Sequence, residues 1–202
     1  RIVGRIHTVR SRTRPATGHD RILNGFGGFR RFASVRRGAD TQRMGTTVHR
    51  LDGADRRDAL ADAAASLARG ELVIAPTETV YGVFARADLP GAVARLLEAA
   101  GPGRGGEPRF TWHLSDPSAL PATPGLALPT PAHRRLLSKL LPGPVRFVLE
   151  QEPEGIGELL RGLAVERGVI DDGAAVALRC PSHRVARSLA EGHPVIAERL
   201  GA

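Results

Sequence analysis

From about residue 55 onward, apolar and polar positions fall into blocks of period 3.6 or period 2, separated by Gly and Pro. Leu60, Ala63, Ala64 and Leu67 share one face of a helix predicted over 55–69, and Gly70 stops it. The run LVIAP at 72–76 is apolar throughout and closes on Pro, which reads as a buried strand. GAVARLLEAA at 91–100 predicts a second helix ending in the breaker run Gly101 to Gly106, and RFTWHL at 109–114 suits a strand. A proline-rich loop over 115–129 leads to Thr130 and Pro131, an N-cap and first-turn pair that predicts a helix through Leu141. VRFVLE (145–150) and AAVALR (174–179) alternate as strands, Ser182 opens a helix to Glu191, and PVIA (194–197) is a last strand. Strands interleaved with helices imply one layered α/β domain around an open twisted sheet, which we place at 44–202.

Residues 1–43 are different. They show no sustained period and hold eleven Arg against Asp20 and Asp40, a net charge of +9. The chain as a whole carries +8, so the rest of it sums to −1 and the basicity belongs to the extension. One reading is an arginine arm that neutralises RNA phosphates; the other is a disordered or spurious segment ahead of a natural start at Met44. Only Lys139 among the 29 basic residues is lysine, a bias that fits a GC-rich genome better than a selected nucleic-acid surface.

Charged content of 25% and hydrophobic content of 42% are those of an ordinary globular domain. No stretch approaches the roughly 18 apolar residues of a membrane span. The single cysteine, Cys180, excludes an internal disulfide framework and points to a reducing cytoplasm. His49, His113, His133, His183 and His193 show no i, i+4 pairing and no cysteine at ligand spacing, so no metal site is expected.

Four blocks carry a resemblance. Pro76-Thr77-Glu78-Thr79-Val80-Tyr81-Gly82 directly after the first buried strand resembles the signature of the YrdC/YciO family of threonylcarbamoyl-AMP synthases. Leu141-Pro142-Gly143-Pro144-Val145, Leu178-Arg179-Cys180-Pro181-Ser182-His183 and Gly192-His193-Pro194-Val195-Ile196 follow in the family's order, so the resemblance covers about 50–200. It implies a YrdC-like open, twisted, mixed sheet with flanking helices in a single domain. It also implies a reaction: threonine, bicarbonate and ATP give threonylcarbamoyl-AMP and pyrophosphate for tRNA modification. ATP is then a substrate, with Mg²⁺ on its phosphates, and tRNA, double-stranded RNA or tRNA-modification proteins are the implied partners. Such chemistry asks for positioning and for cations on developing charge more than for a protein nucleophile.

Carried over position by position, Thr77, His113 and Arg179 resemble the family's threonine-binding residues, Arg179 being a fork suited to a carboxylate or phosphate. Three departures follow. The family's Lys-x-Arg pair, which grips the nucleotide phosphates, falls near Ala100 and Pro102, where Arg104 in the glycine run is the cation within reach. The family's Ser-x-Asn after the last strand falls near Arg199 and Gly201. Arg146 stands where threonine is common. Arg104 and Arg199 are therefore the nucleotide-binding candidates, and an impaired synthase is expected; the alternative is a non-catalytic nucleotide- or double-stranded-RNA-binding module. Loss of one preorganised donor costs roughly 2.7–4 kcal/mol of transition-state stabilisation.

Overall fold

The computed structural model describes residues 5–10, 45–51, 56–101, 107–128 and 130–199. The strands are β1 (Arg5–Arg10), β2 (Gly45–Arg50), β3 (Leu72–Pro76), β4 (Tyr81–Arg86), β5 (Thr111–His113), β6 (Phe147–Glu150), β7 (Ala175–Arg179) and β8 (Val195–Arg199). The helices are α1 (Arg56–Ala68), α2 (Pro90–Ala100), α3 (Pro131–Leu140), α4 (Pro153–Leu163) and α5 (Arg184–Leu189). Among the described residues the strands form one eight-stranded open sheet in the order β2-β1-β3-β4-β8-β5-β7-β6. Its neighbours run antiparallel except β5 and β7, which makes the sheet mixed.

Period 2 sorts the side chains onto two faces. Leu72, Val83, Leu178 and Ile196 point to a core closed by α2, through Ala92, Val93 and Leu96, and by α4, through Ile156, Leu159 and Leu160. Val73, Ala75, Phe84, Val195 and Ala197 point the other way, against Ala63 and Leu67 of α1 and Val185 and Leu189 of α5. β3 lies inside the sheet with helices on both faces, which is why its sequence is apolar without alternation. The predicted α/β architecture with flanking helices is the one observed. Among the described residues no helix is long and apolar enough to cross a membrane.

Several boundaries shift. Thr130 does cap α3, its hydroxyl accepting the His133 N–H at 3.2 Å, with Pro131 at the first position. The helix expected from Ser182 is shorter, Arg184–Leu189, and has no side-chain cap. The loop over 115–129 contains a 3₁₀ turn, Pro117–Ala122, whose start is held by Asp116 accepting the Ser118 N–H at 2.9 Å. β4 and α4 were not predicted. β4 shares Tyr81 and Gly82 with the signature motif, and α4 (PEGIGELLRGL) carries three glycines that weaken its helix signal. Nor was β1: the structure lays Arg5–Arg10, inside the segment expected to lie outside the domain, between β2 and β3. Ile6 is fully buried there and Val9 nearly so. The rest of 1–43, and with it the expected arm, lies outside the described residues.

Candidate functional site

The two faces of the sheet are not covered equally. α1 and α5 lie over β1, β3 and β4 on the second face, and beyond them the floor of the sheet lines a cavity of about 550 Å³. Gly82 of β4, Ala197 and Arg199 of β8, Thr111 and His113 of β5 and Arg179 of β7 all line it. Within β8 and β5 the pairs sit two residues apart, and strand pairing sets Gly82 opposite Arg199 and Arg179 opposite His113, so one face of the pleat places them together. Thr77, Thr79 and Val80 of the β3–β4 turn form one wall, and Ala100 at the end of α2 with Glu107, Pro108 and Arg109 ahead of β5 another. Gly82 belongs on this floor because a Cβ there would stand 3.0 Å from the Phe84 ring.

The turn is rigid by its own hydrogen bonds. The Thr77 hydroxyl donates to the Val80 carbonyl at 2.7 Å and accepts the N–H groups of Thr79 and Val80, each at 3.2 Å. Its donor is thereby engaged inside the turn, so Thr77 shapes the wall rather than presenting a free O–H. Tyr81 at the end of the motif accepts the Arg5 N–H on its hydroxyl at 3.1 Å, a tie to β1.

Arg179 crosses from β7 to that turn. Its Nη2 donates to Glu78 Oε1 at 2.7 Å and to Thr79 Oγ1 at 3.1 Å, while its buried Nε has no partner. Glu78 Oε2 accepts the His183 N–H at 3.3 Å. Burial alone would raise the Glu78 carboxyl, but the Arg179 hydrogen bond and charge and the nearby backbone N–H groups outweigh it and hold the group below its ordinary value. Glu78 thus stays ionised and fixes Arg179 from one side, leaving other donors of the fork unengaged.

His113 is buried, stacks edge-on against Phe84 with ring centroids 5.3 Å apart, and lies with Nδ1 3.0 Å from the Thr111 carbonyl. Burial lowers its pKa to about 4, so at neutral pH the imidazole is uncharged. Donation from Nδ1–H to that carbonyl leaves Nε2 as an acceptor. Cys180 is no nucleophile, because burial pushes its thiol up to about 11.

Three more guanidinium groups enter the cavity. Arg109 lies 4.6 Å over the Phe110 ring, donates to the Gly101 carbonyl at 2.7 Å and pairs with Glu198 at 3.6 Å. Arg146, one residue ahead of β6, donates from Nε to Thr111 Oγ1 at 2.9 Å, from Nη1 to Glu107 Oε2 at 3.0 Å and from Nη2 to the Pro108 carbonyl at 3.2 Å. Arg199 lines the cavity with no ion pair or hydrogen bond among the described residues. Among those residues no three His, Cys, Asp or Glu side chains converge on a metal position.

Of the predicted site residues, the structure brings Thr77, His113, Arg179 and Arg199 to one cavity. Arg104 lies outside the described residues, as do Pro102 and Gly201. Ala100, where the resemblance expects lysine, does line the cavity, so that departure falls at the site itself. Sequence reasoning gave no role to Glu78, Glu107, Arg109 or Glu198 and took Arg146 only as a departure. A usable signal existed for Glu78: a buried arginine requires a carboxylate, and the motif offers one beside Thr77.

An open mixed sheet with helices on both faces and a cavity lined by Arg109, Arg146, Arg179 and Arg199 defines the class as an α/β protein with a guanidinium-lined cleft. Residues 65–198 match the model of the Sua5/YciO/YrdC family, described as telomere recombination, and the chain belongs to that family. It is 33% identical over 132 residues to the threonylcarbamoyl-AMP synthase of Bacillus subtilis, covering 64% of this chain and 34% of that protein. It is 31% identical over 150 residues to the putative threonylcarbamoyl-AMP synthase of Mycobacterium tuberculosis, covering 72% and 61%. Pyrococcus abyssi Sua5 complexed with L-threonine superposes with a TM-score of 0.51 at 31% identity over 69% of this chain and 37% of that one. E. coli YciO, at 21% identity, shares the fold with a TM-score of 0.55 over 73% and 65%. The chain therefore spans about a third of the length of the Bacillus relative and about three fifths of the mycobacterial one.

Proposed function

We propose that the cavity binds L-threonine beside ATP and forms threonylcarbamoyl-AMP, at a rate below that of a family member with its full set of phosphate-binding residues. The observation that carries this reading is the meeting of Thr77, His113 and Arg179 with Arg109, Arg146 and Arg199 in one space of about 550 Å³. That volume is of the size that buries a small-molecule ligand, for which pockets run from roughly 300 to 1,000 Å³. The threonine carboxylate is taken by the unengaged donors of Arg179, a fork that matches a carboxylate. His113, uncharged and accepting at Nε2, tolerates the amine side of the substrate without repelling it.

The threonine nitrogen takes up the carbon of bicarbonate with loss of water. A carbamate oxygen then bonds to the α-phosphorus as the bond to the bridging oxygen breaks, and pyrophosphate leaves with that electron pair. Arg109, Arg146 and Arg199 stand where the negative charge of the phosphates collects. A magnesium ion would come with those phosphates and neutralise part of their charge; the nearby carboxylates Glu107 and Glu198 already pair with Arg146 and Arg109. The slower rate follows from Ala100, which brings no charge to the cavity wall where the resemblance expects a lysine. The activated carbamoyl product suits transfer to tRNA, which makes a tRNA-modification partner and a cytoplasmic setting part of the proposal.

The test is pyrophosphate release from ATP, bicarbonate and threonine. Release that requires threonine and falls at least tenfold in Arg179→Ala supports the synthase, a buried charged hydrogen bond being worth about 1.5–3 kcal/mol. ATP binding with no threonine-dependent release assigns the cavity to nucleotide binding without turnover.

A further inference from the structure

Arg146 is held by three contacts. Two of its three contacts, Thr111 Oγ1 and the Pro108 carbonyl, are neutral groups that aim the guanidinium without cancelling its charge. The third, Glu107, cancels it, and Glu107 is the most exposed carboxylate of the cavity pairs: its side chain is 59% exposed, against 30% for Glu198 and 18% for Glu78. An ion pair this open is worth about 0.2–1 kcal/mol, because water and salt compete for both partners. A ligand carrying several negative charges outbids a single exposed carboxylate for such a fork. Arg109 and Arg179 cannot be freed as readily. Arg109 pairs with a carboxylate about half as exposed as Glu107, and Arg179 is locked to the β3–β4 turn.

We propose that Glu107 is a displaceable internal counter-ion on Arg146, and that Arg146, once freed, is one of the cations that receive the phosphate chain of a nucleotide in this cavity. Ligand binding then exchanges Glu107 for a phosphate oxygen, while Thr111 and Pro108 keep the fork in place. This deepens the proposed function and rests on it for the identity of the anion. A guanidinium brought in from beside β6 also supplies charge to the cavity wall where Ala100 has none.

Inorganic tripolyphosphate, titrated calorimetrically into the full chain without threonine or bicarbonate, is the probe. Glu107→Gln is expected to tighten binding about 1.5- to 5-fold, the fold-change of a lost exposed ion pair. Arg146→Thr is expected to weaken it about tenfold or more, as loss of a charge-assisted contact does. The deciding arm is the double variant: with Arg146 already gone, Glu107→Gln should no longer tighten binding. The proposal is overturned if Glu107→Gln leaves affinity unchanged, if it tightens binding equally in the Arg146→Thr background, or if tripolyphosphate fails to bind the parent chain. Melting curves of each variant separate a lost clasp from a lost ligand contact, and Glu107→Gln retains the Thr111 and Pro108 bonds in any case. Pyrophosphate release is a separate readout. Absent release with the expected binding pattern removes the synthase reading and leaves this one standing, and release with an unchanged binding pattern does the reverse.

Discussion

At the scale of single residues, the site is a set of charges held by neighbours far away in sequence. Thr77, His113, Arg179 and Arg199 were legible because each falls in, or at a countable distance from, a motif. Their partners were not: Glu78 lies 101 residues from Arg179, and Glu107 lies 39 from Arg146, separations at which no periodic pattern connects two positions. Thr77 shows the other limit, since a motif marks it as important without saying that its hydroxyl closes a turn. His113 yields a prediction of its own. Its folded-state pKa, about 4, lies below the unfolded value of 6.5, so the unfolded chain takes the proton first as pH falls. The stability it contributes is complete above pH 6.5, declines as pH drops and is fully lost below about 4, a total of about 3 kcal/mol from the two pKa values. Urea unfolding of the parent and of His113→Gln between pH 7.5 and 4 should therefore converge toward acid, the parent losing about 3 kcal/mol more. Parallel curves would mean that the imidazole is not buried as described.

At the scale of elements, pattern and turn chemistry located most of the strands and helices, and contacts between blocks decided the rest. The Pro-Gly-Pro block before β6 shows why. Gly143 donates its N–H to the Cys180 carbonyl at 2.8 Å, binding that block to the end of β7 and so setting the start of β6 beside Arg179. A Cβ on Gly143 would lie 2.3 Å from the Leu140 carbonyl oxygen, a clash with backbone that no rotamer relieves. Gly143→Ala should thus destabilise the fold by about 1–3 kcal/mol, as forced overpacking does. Because Arg146 lies three residues on, it should also weaken tripolyphosphate binding. Thermal melting and the calorimetric titration check both, and an unchanged melting temperature would show that the close approach is absent. β4 escaped pattern reading for a related reason. Tyr81 and Gly82 serve the turn and the cavity as well as the strand, so function overwrites the alternation that would have marked it.

At the scale of the whole molecule, β1 is where the sequence and the folded chain part most. RIHTVR sits in an arginine-rich stretch with net charge +9 across 43 residues, and six residues are too few to show a period against that background. In the sheet those residues have a defined task. Ile6 packs into the core under α1 and α5, Val9 into the core on the opposite face, and β1 joins β2 to β3 by antiparallel pairing on both sides. Removing β1 leaves β2 without a partner among the described strands and turns β3 into an edge, although β3 is a strand with no charged residue to guard it. The lost burial of Ile6 and Val9 alone is worth roughly 1.5–3 kcal/mol each. A chain beginning at Met44 should accordingly melt about 10 °C below the full chain and aggregate more readily on heating, given roughly 2–4 °C per kcal/mol for a protein of this size. The cavity lies on the far side of β4, so tripolyphosphate affinity of the shortened chain should change little at temperatures where it stays folded. Equal melting temperatures for the two chains would instead return all of 1–43 to the status of an extension, with β2 free to pair directly with β3 once β1 is gone.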